Sequence, residues 1–124
     1  MLDRIATWLE ADAPARDGVN QFNMGYFIAA AKCGTVCSIA GAVVQFNQTD
    51  RGEPTYGPND MISADIRASE ILDLDFELAN NLFLGQDSEY PYDVTFLEDI
   101  TPAHAARCIR KLIDTGTVDW TGTR

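Results

Sequence analysis

The sequence predicts a mainly α fold: a compact bundle of about five helices joined by long irregular connections, with a minor β-ribbon as an optional addition. Three observations carry that expectation. Apolar residues recur at helical spacing in separate stretches. Several of those stretches are bracketed by start and stop residues, such as Thr101-Pro102 and Gly116. The chain has 124 residues, 46% of them hydrophobic, which suits one globular domain over residues 1–124.

The first helix runs from Leu2 to about Ala11, with Leu2, Ile5, Trp8 and Leu9 on one face. Pro14 and Gly18 end it. The segment Phe22 to Phe27 alternates loosely and suits an extended ribbon. The second helix places Val36, Ile39, Ala40, Val43 and Val44 on a core-facing stripe, with Thr35 as N-cap after Gly34. Gly41 costs that helix about 1 kcal/mol of propensity against Ala, which predicts a close neighbour at that position. Asn47 to Asp60 reads as loop, because Gly52, Pro54, Gly57 and Pro58 interrupt any period.

A third helix starts at Ser63, after Ile62, with Ile66, Ile71 and Leu74 on its apolar side. A fourth is capped by Asp75 and closed by Gly85, with Leu78, Ala79, Leu82 and Phe83 inward. Gln86 to Ile100 reads as irregular around Tyr90-Pro91-Tyr92. In the last helix Thr101 is the N-cap and Pro102 takes the first position, where a missing N–H costs nothing. Ala105, Ile109, Leu112 and Ile113 form its stripe. Arg110 and Lys111 favour its C-terminal dipole, Gly116 stops it, and Trp120 folds back on the core.

No apolar run approaches the roughly 18 residues of a membrane span, and the N-terminus lacks the layout of a signal peptide. A cytoplasmic location without membrane attachment is the default expectation. Three cysteines, Cys33, Cys37 and Cys108, argue against a disulfide framework.

The formal net charge is −10, from 19 acidic and 9 basic residues, which disfavours direct nucleic-acid binding. From residue 68 to 106 there are nine acids and no Lys or Arg. Phe76, Phe83, Tyr90, Tyr92 and Phe96 are interleaved with them. An acidic surface of this kind commonly serves solubility alone. The sharper expectation is a docking surface for a basic partner, carried by Asp87, Glu89, Tyr90, Tyr92, Asp93, Glu98 and Asp99.

Two chemical alternatives compete with docking. Cys33, Cys37, His104 and Cys108 make a Cys3His set, the donor types of structural zinc. The spacing is C-x3-C rather than a C-x2-C knuckle, and His104 is expected towards the charged face of the last helix. Alternatively Cys33, ahead of a helix start, could be an activated thiol with His104 as base. No phosphate loop is present, because no Gly-Lys-Ser/Thr follows Gly34–Gly41. Acid pairs such as Asp73/Asp75 more often cap helices than hold Mg²⁺. The expectation is no cofactor, and no catalytic set.

The run Phe22-Asn23-Met24, then Cys33-Gly34-Thr35-Val36-Cys37-Ser38-Ile39-Ala40-Gly41, resembles a group of small uncharacterised phage and bacterial proteins. These share a Cys-Gly-Thr/Ser-x-x-Cys-x-Ala-Gly pattern, an "LGLD"-like turn and a downstream "LF". Leu72-Asp73-Leu74-Asp75 and Leu82-Phe83 stand in those places, with Asp73 replacing the glycine, and Ile100-Thr101-Pro102 to Leu112-Ile113 also fits. The resemblance implies a mobile-element setting and no catalytic residue. Together with the acidic stretch, it leads to an expected binding protein, monomeric or homodimeric. It would act as an anti-CRISPR-like inhibitor on the basic surface of a host nucleic-acid-binding complex.

Overall fold

A computed structural model of the chain describes residues 1–31, 34–57, 59–60, 62–87 and 97–124. Five helices dominate: α1 (Leu2–Glu10), α2 (Ile39–Asp50), α3 (Ala64–Leu72), α4 (Phe76–Leu84) and α5 (Pro102–Thr115). A 3-10 turn, Leu97–Asp99, precedes α5. Strands β1 (Gln21–Phe22), β2 (Ile28–Ala31) and β3 (Gly34–Cys37) form a small mixed sheet between α1 and α2 in sequence. β3 is central, parallel to β1 and antiparallel to β2. No helix among the described residues is long and apolar enough to cross a membrane.

The second helix begins later than its stripe implies. Thr35, Val36 and Cys37 lie in β3, and the helix starts at Ile39 with Ser38 as N-cap. Thr35 and Val36 are β-branched and Cys37 is small and apolar, so all three suit a strand flanked on both sides. Val36 still faces the core at 5% exposure, but from a strand and not from a helical stripe. Thr35 does not cap the helix; its N–H instead donates to Asn20 Oδ1 at 2.9 Å.

α2 is buried on every side from Ile39 to Phe46, as befits a central helix. It also continues to Asp50, so Asn47 to Asp50, expected as loop, is helix. Gln45, a polar residue, is fully buried within it. Its amide is satisfied by the backbone of Tyr56: Nε2 donates to Tyr56 O at 2.6 Å and Tyr56 N–H donates to Oε1 at 2.8 Å. Gln48 Nε2 donates to Pro54 O at 3.0 Å. These bonds pin the connection after α2 to the helix that precedes it, because a buried amide left unpaired is costly.

α3 packs on α2 in a different phase from the expected one. Ala64, Ala68 and Ser69 are buried, while Ile66 is 47% exposed. Small side chains bring the two helices close, and that contact outweighs the burial of one isoleucine. Ile71 and Leu74 remain half-buried against the core. α4 follows its signals. Asp75 accepts from Leu78 N–H at 2.9 Å and Gly85 closes the helix at φ 69°.

α5 packs along α1. Its start is as expected: Thr101 accepts from His104 N–H at 3.1 Å with Pro102 at the first position. Arg110 serves α1 more than its own helix end, donating to Asp3, to Glu10 at 2.7 Å and to Thr7 at 3.1 Å. Lys111 pairs with Asp119. Ile113 is 45% exposed, outside the stripe assigned to it, whereas His104 is buried rather than facing the charged side. Trp120 is fully buried, as expected of a C-terminal anchor.

Candidate functional site

Asp87 does not face solvent. It is buried, and its carboxylate binds the C-terminal segment. Oδ1 accepts from Trp120 N–H at 2.5 Å and from Thr121 N–H at 3.3 Å, and Oδ2 accepts from the Thr121 hydroxyl at 2.5 Å. The irregular chain after Gly85 brings Asp87 under residues 120–121, where unpaired backbone donors need an acceptor. This removes Asp87 from the expected docking surface. Glu98 and Asp99 are exposed on the 3-10 turn. Glu89, Tyr90, Tyr92 and Asp93 lie outside the described residues.

The exposed acids that the structure does bring together lie at the α3–α4 corner. α3 ends on Asp73 in the left-handed region at φ 54°, and α4 begins three residues later at Phe76. The inward face of α4 is taken by Ala79, Leu82 and Phe83, so Phe76 at its first position points away and is 57% exposed. Glu70, Asp73, Asp75 and Glu77 are all exposed around this corner. Sequence reasoning counted these acids and Phe76 in the acidic stretch but did not select them. The available signal was the cap at Asp75, which sets the phase of α4 and turns Phe76 outward.

The described members of the Cys3His set, Cys37, His104 and Cys108, do not gather into one site. Among the described residues no three His, Cys, Asp or Glu side chains gather where they could hold a metal ion. Cys33 lies outside the described residues. Cys37 sits in β3 and Cys108 in α5, both buried. The imidazole of His104 is committed elsewhere: Trp120 O can only accept, so Nε2–H donates to it at 2.7 Å. The ring also stands edge-on to the Trp120 indole at 5.2 Å between centroids.

Burial pushes the Cys37 thiol from 9.0 up to about 12. Cys108 is likewise pushed up to about 12, chiefly by burial, with Asp87 and Asp119 adding to the effect. The Asp119 backbone and the Thr123 hydroxyl offset part of it. Burial thus keeps both thiols protonated near neutral pH, which disfavours nucleophilic attack. Native labelling of Cys37 and Cys108 with a disulfide reagent at pH 7 is expected to run about a thousandfold slower than for an unperturbed thiol. Peptide mapping of the labelled protein checks this, and prompt modification of either would contradict it. A raised folded-state pKa favours the folded state while the unfolded thiol is still protonated. That contribution is lost as pH rises from about 9 to about 12.

A shallow surface cleft lies beside the sheet. Tyr26, Phe27, Ile28, Asp60 and Ile62 line one part, and Gln48, Pro54 and Tyr56 continue it past the shared Asp60 and Ile62. Arg67 stands 5.8 Å over the Tyr56 ring. The run Cys33 to Gly41 has one residue fewer between its cysteines than the phage-type pattern, and one more before Ala40-Gly41. No protein-family model, curated protein or solved structure matches this chain.

Proposed function

We propose that this chain is a small acidic accessory protein of phage type that acts by binding a basic protein surface. Its target is the nucleic-acid-binding face of a host complex, which it occupies as an anti-CRISPR-like inhibitor. The observation that supports this most is Phe76, 57% exposed amid the exposed Glu70, Asp73, Asp75 and Glu77. No Lys or Arg falls anywhere from 68 to 106 to neutralise them. Carboxylates on a rigid helix corner can take the place of phosphates, and an exposed aromatic supplies an apolar contact that desolvates on docking. Glu98 and Asp99 add charge to the same stretch of sequence.

The test is capture of host nucleic-acid-binding complexes on immobilised protein, followed by competition with their DNA or RNA. Binding is expected to weaken with salt, mainly through the association rate. Glu70→Lys with Glu77→Lys should abolish it without unfolding the protein, since both side chains are exposed. Phe76→Ala should instead speed dissociation. Capture that is indifferent to all three substitutions, or that leaves nucleic acid bound, would overturn the reading.

A further inference from the structure

We infer that β2 is an open docking edge that takes an extended, lysine- or arginine-bearing segment of another protein as a fourth strand. This goes beyond the reading above, because it stands on the sheet and not on the α3–α4 corner.

Among the described residues the sheet order leaves β2 at an edge, with β3 on one side only. The pairing fixes which backbone groups are used. Ala29 lies opposite Val36 and Ile28 opposite Cys37, and Ser38 N–H donates to Phe27 O at 3.4 Å. Residues 27 and 38 are thus a hydrogen-bonded pair, and antiparallel alternation makes Ala29 and Val36 the next one. Ile28 and Ala30 then turn their N–H and C=O groups away from β3. The other flank of β3 agrees with this phase: Thr35 O and Cys37 O accept from Asn20 and Asn23 on the β1 side. Among the described residues nothing pairs with the outward groups of Ile28 and Ala30.

Natural edge strands are commonly blunted by charge, proline or a bulge. β2 reads Ile28-Ala29-Ala30-Ala31 and has none of the first two, and its register with β3 is unbroken. The chemistry beside it specifies the occupant. The cleft at the Ile28 end carries exposed Tyr26 and the exposed carboxylate of Asp60. Glu98 lies over Gly25, with its Cγ 3.1 Å from where a β-carbon there would sit. Two carboxylates and a tyrosine at one end of an open edge suit a cationic side chain on an added strand. A second copy of this chain carries the same acids and a net charge of −10, so it would be repelled.

The experiment uses the full chain and a fluorescein-labelled peptide of alternating valine and lysine. Matched peptides carry N-methyl groups on alternate backbone nitrogens, one peptide for each edge; they keep the charge but cannot pair along the methylated edge. Hydrogen exchange of the backbone amides is read in parallel. The parent peptide is expected to bind and to slow exchange at Ile28 and Ala30 by about tenfold. One methylated peptide should bind at least about tenfold more weakly. Equal affinity of all three peptides, or no binding, overturns strand addition. So does a homodimer in which Ile28 and Ala30 are already protected. Loss of peptide binding in Phe76→Ala with the fold intact assigns binding to the α3–α4 corner and also overturns the edge. Retained binding in that variant, with Asp60→Lys weakening it, supports the edge whatever the fate of the inhibitor reading.

Discussion

Gly41→Ala is expected to lower the melting midpoint by about 10 °C or more, the cost of roughly 3 kcal/mol in a domain of this size. A β-carbon at position 41 would lie 1.8 Å from Phe27 O, and the nearest atoms are backbone rather than a flexible side chain. Two effects oppose one another. Ala stabilises a helix by about 1 kcal/mol over Gly. The clash, however, requires either α2 or the entry to β2 to retreat by more than a bond length. That movement breaks the Ser38 N–H to Phe27 O bond and loosens the central helix, which is buried throughout from Ile39 to Phe46. The clash should win. Calorimetry and urea unfolding check it, and a midpoint within the error of the parent would show that Phe27 does not approach α2. The larger Gly41→Leu should be worse still.

Asp87→Ala should destabilise by roughly 2–3 kcal/mol, chiefly through the buried Trp120 N–H that it strands. Trp120 N–H, Thr121 N–H and the Thr121 hydroxyl all lose their acceptor in one step. The Trp120 N–H is then left buried without a partner, whereas the groups of exposed Thr121 can turn to water. Asp87→Asn, which keeps one acceptor oxygen, should fall between parent and Ala. Asp87→Lys should prevent folding, since it buries a cation among donors. Denaturant titration followed by tryptophan fluorescence, from Trp8 and Trp120 together, reads all three. Unchanged midpoints would place the carboxylate in solvent, where a reading of the bare acidic stretch had put it.

Local chemistry was legible wherever one turn of chain carried its own stop or start. Thr101-Pro102, Asp75, Gly85 and Gly116 bound α4 and α5 in the structure as their cap chemistry implies. Gly41 was legible for a similar reason: a helix interior tolerates glycine at a cost, and the cost points to a neighbour. The identity of that neighbour, a backbone carbonyl of the segment entering β2, was not legible. The candidate surface was partly legible. The excess of acid over base belongs to the sequence, but its division into exposed Glu70, Asp73, Asp75 and Glu77 and buried Asp87 does not.

Read alone, the sequence carried the mainly helical character, the caps of α4 and α5, the acid excess and most of the buried apolar positions, though not the exposure of Ile66 and Ile113. Only the tertiary structure decided that Thr35–Cys37 is a strand, that α3 buries Ala64 and Ala68 in preference to Ile66, and that Asp87 holds the C-terminus. The physical reason is the range of the interactions. A cap is satisfied within three or four residues. The partners of β3, of α3 and of Asp87 lie on other elements, and periodicity records that a face is buried but not what it is buried against.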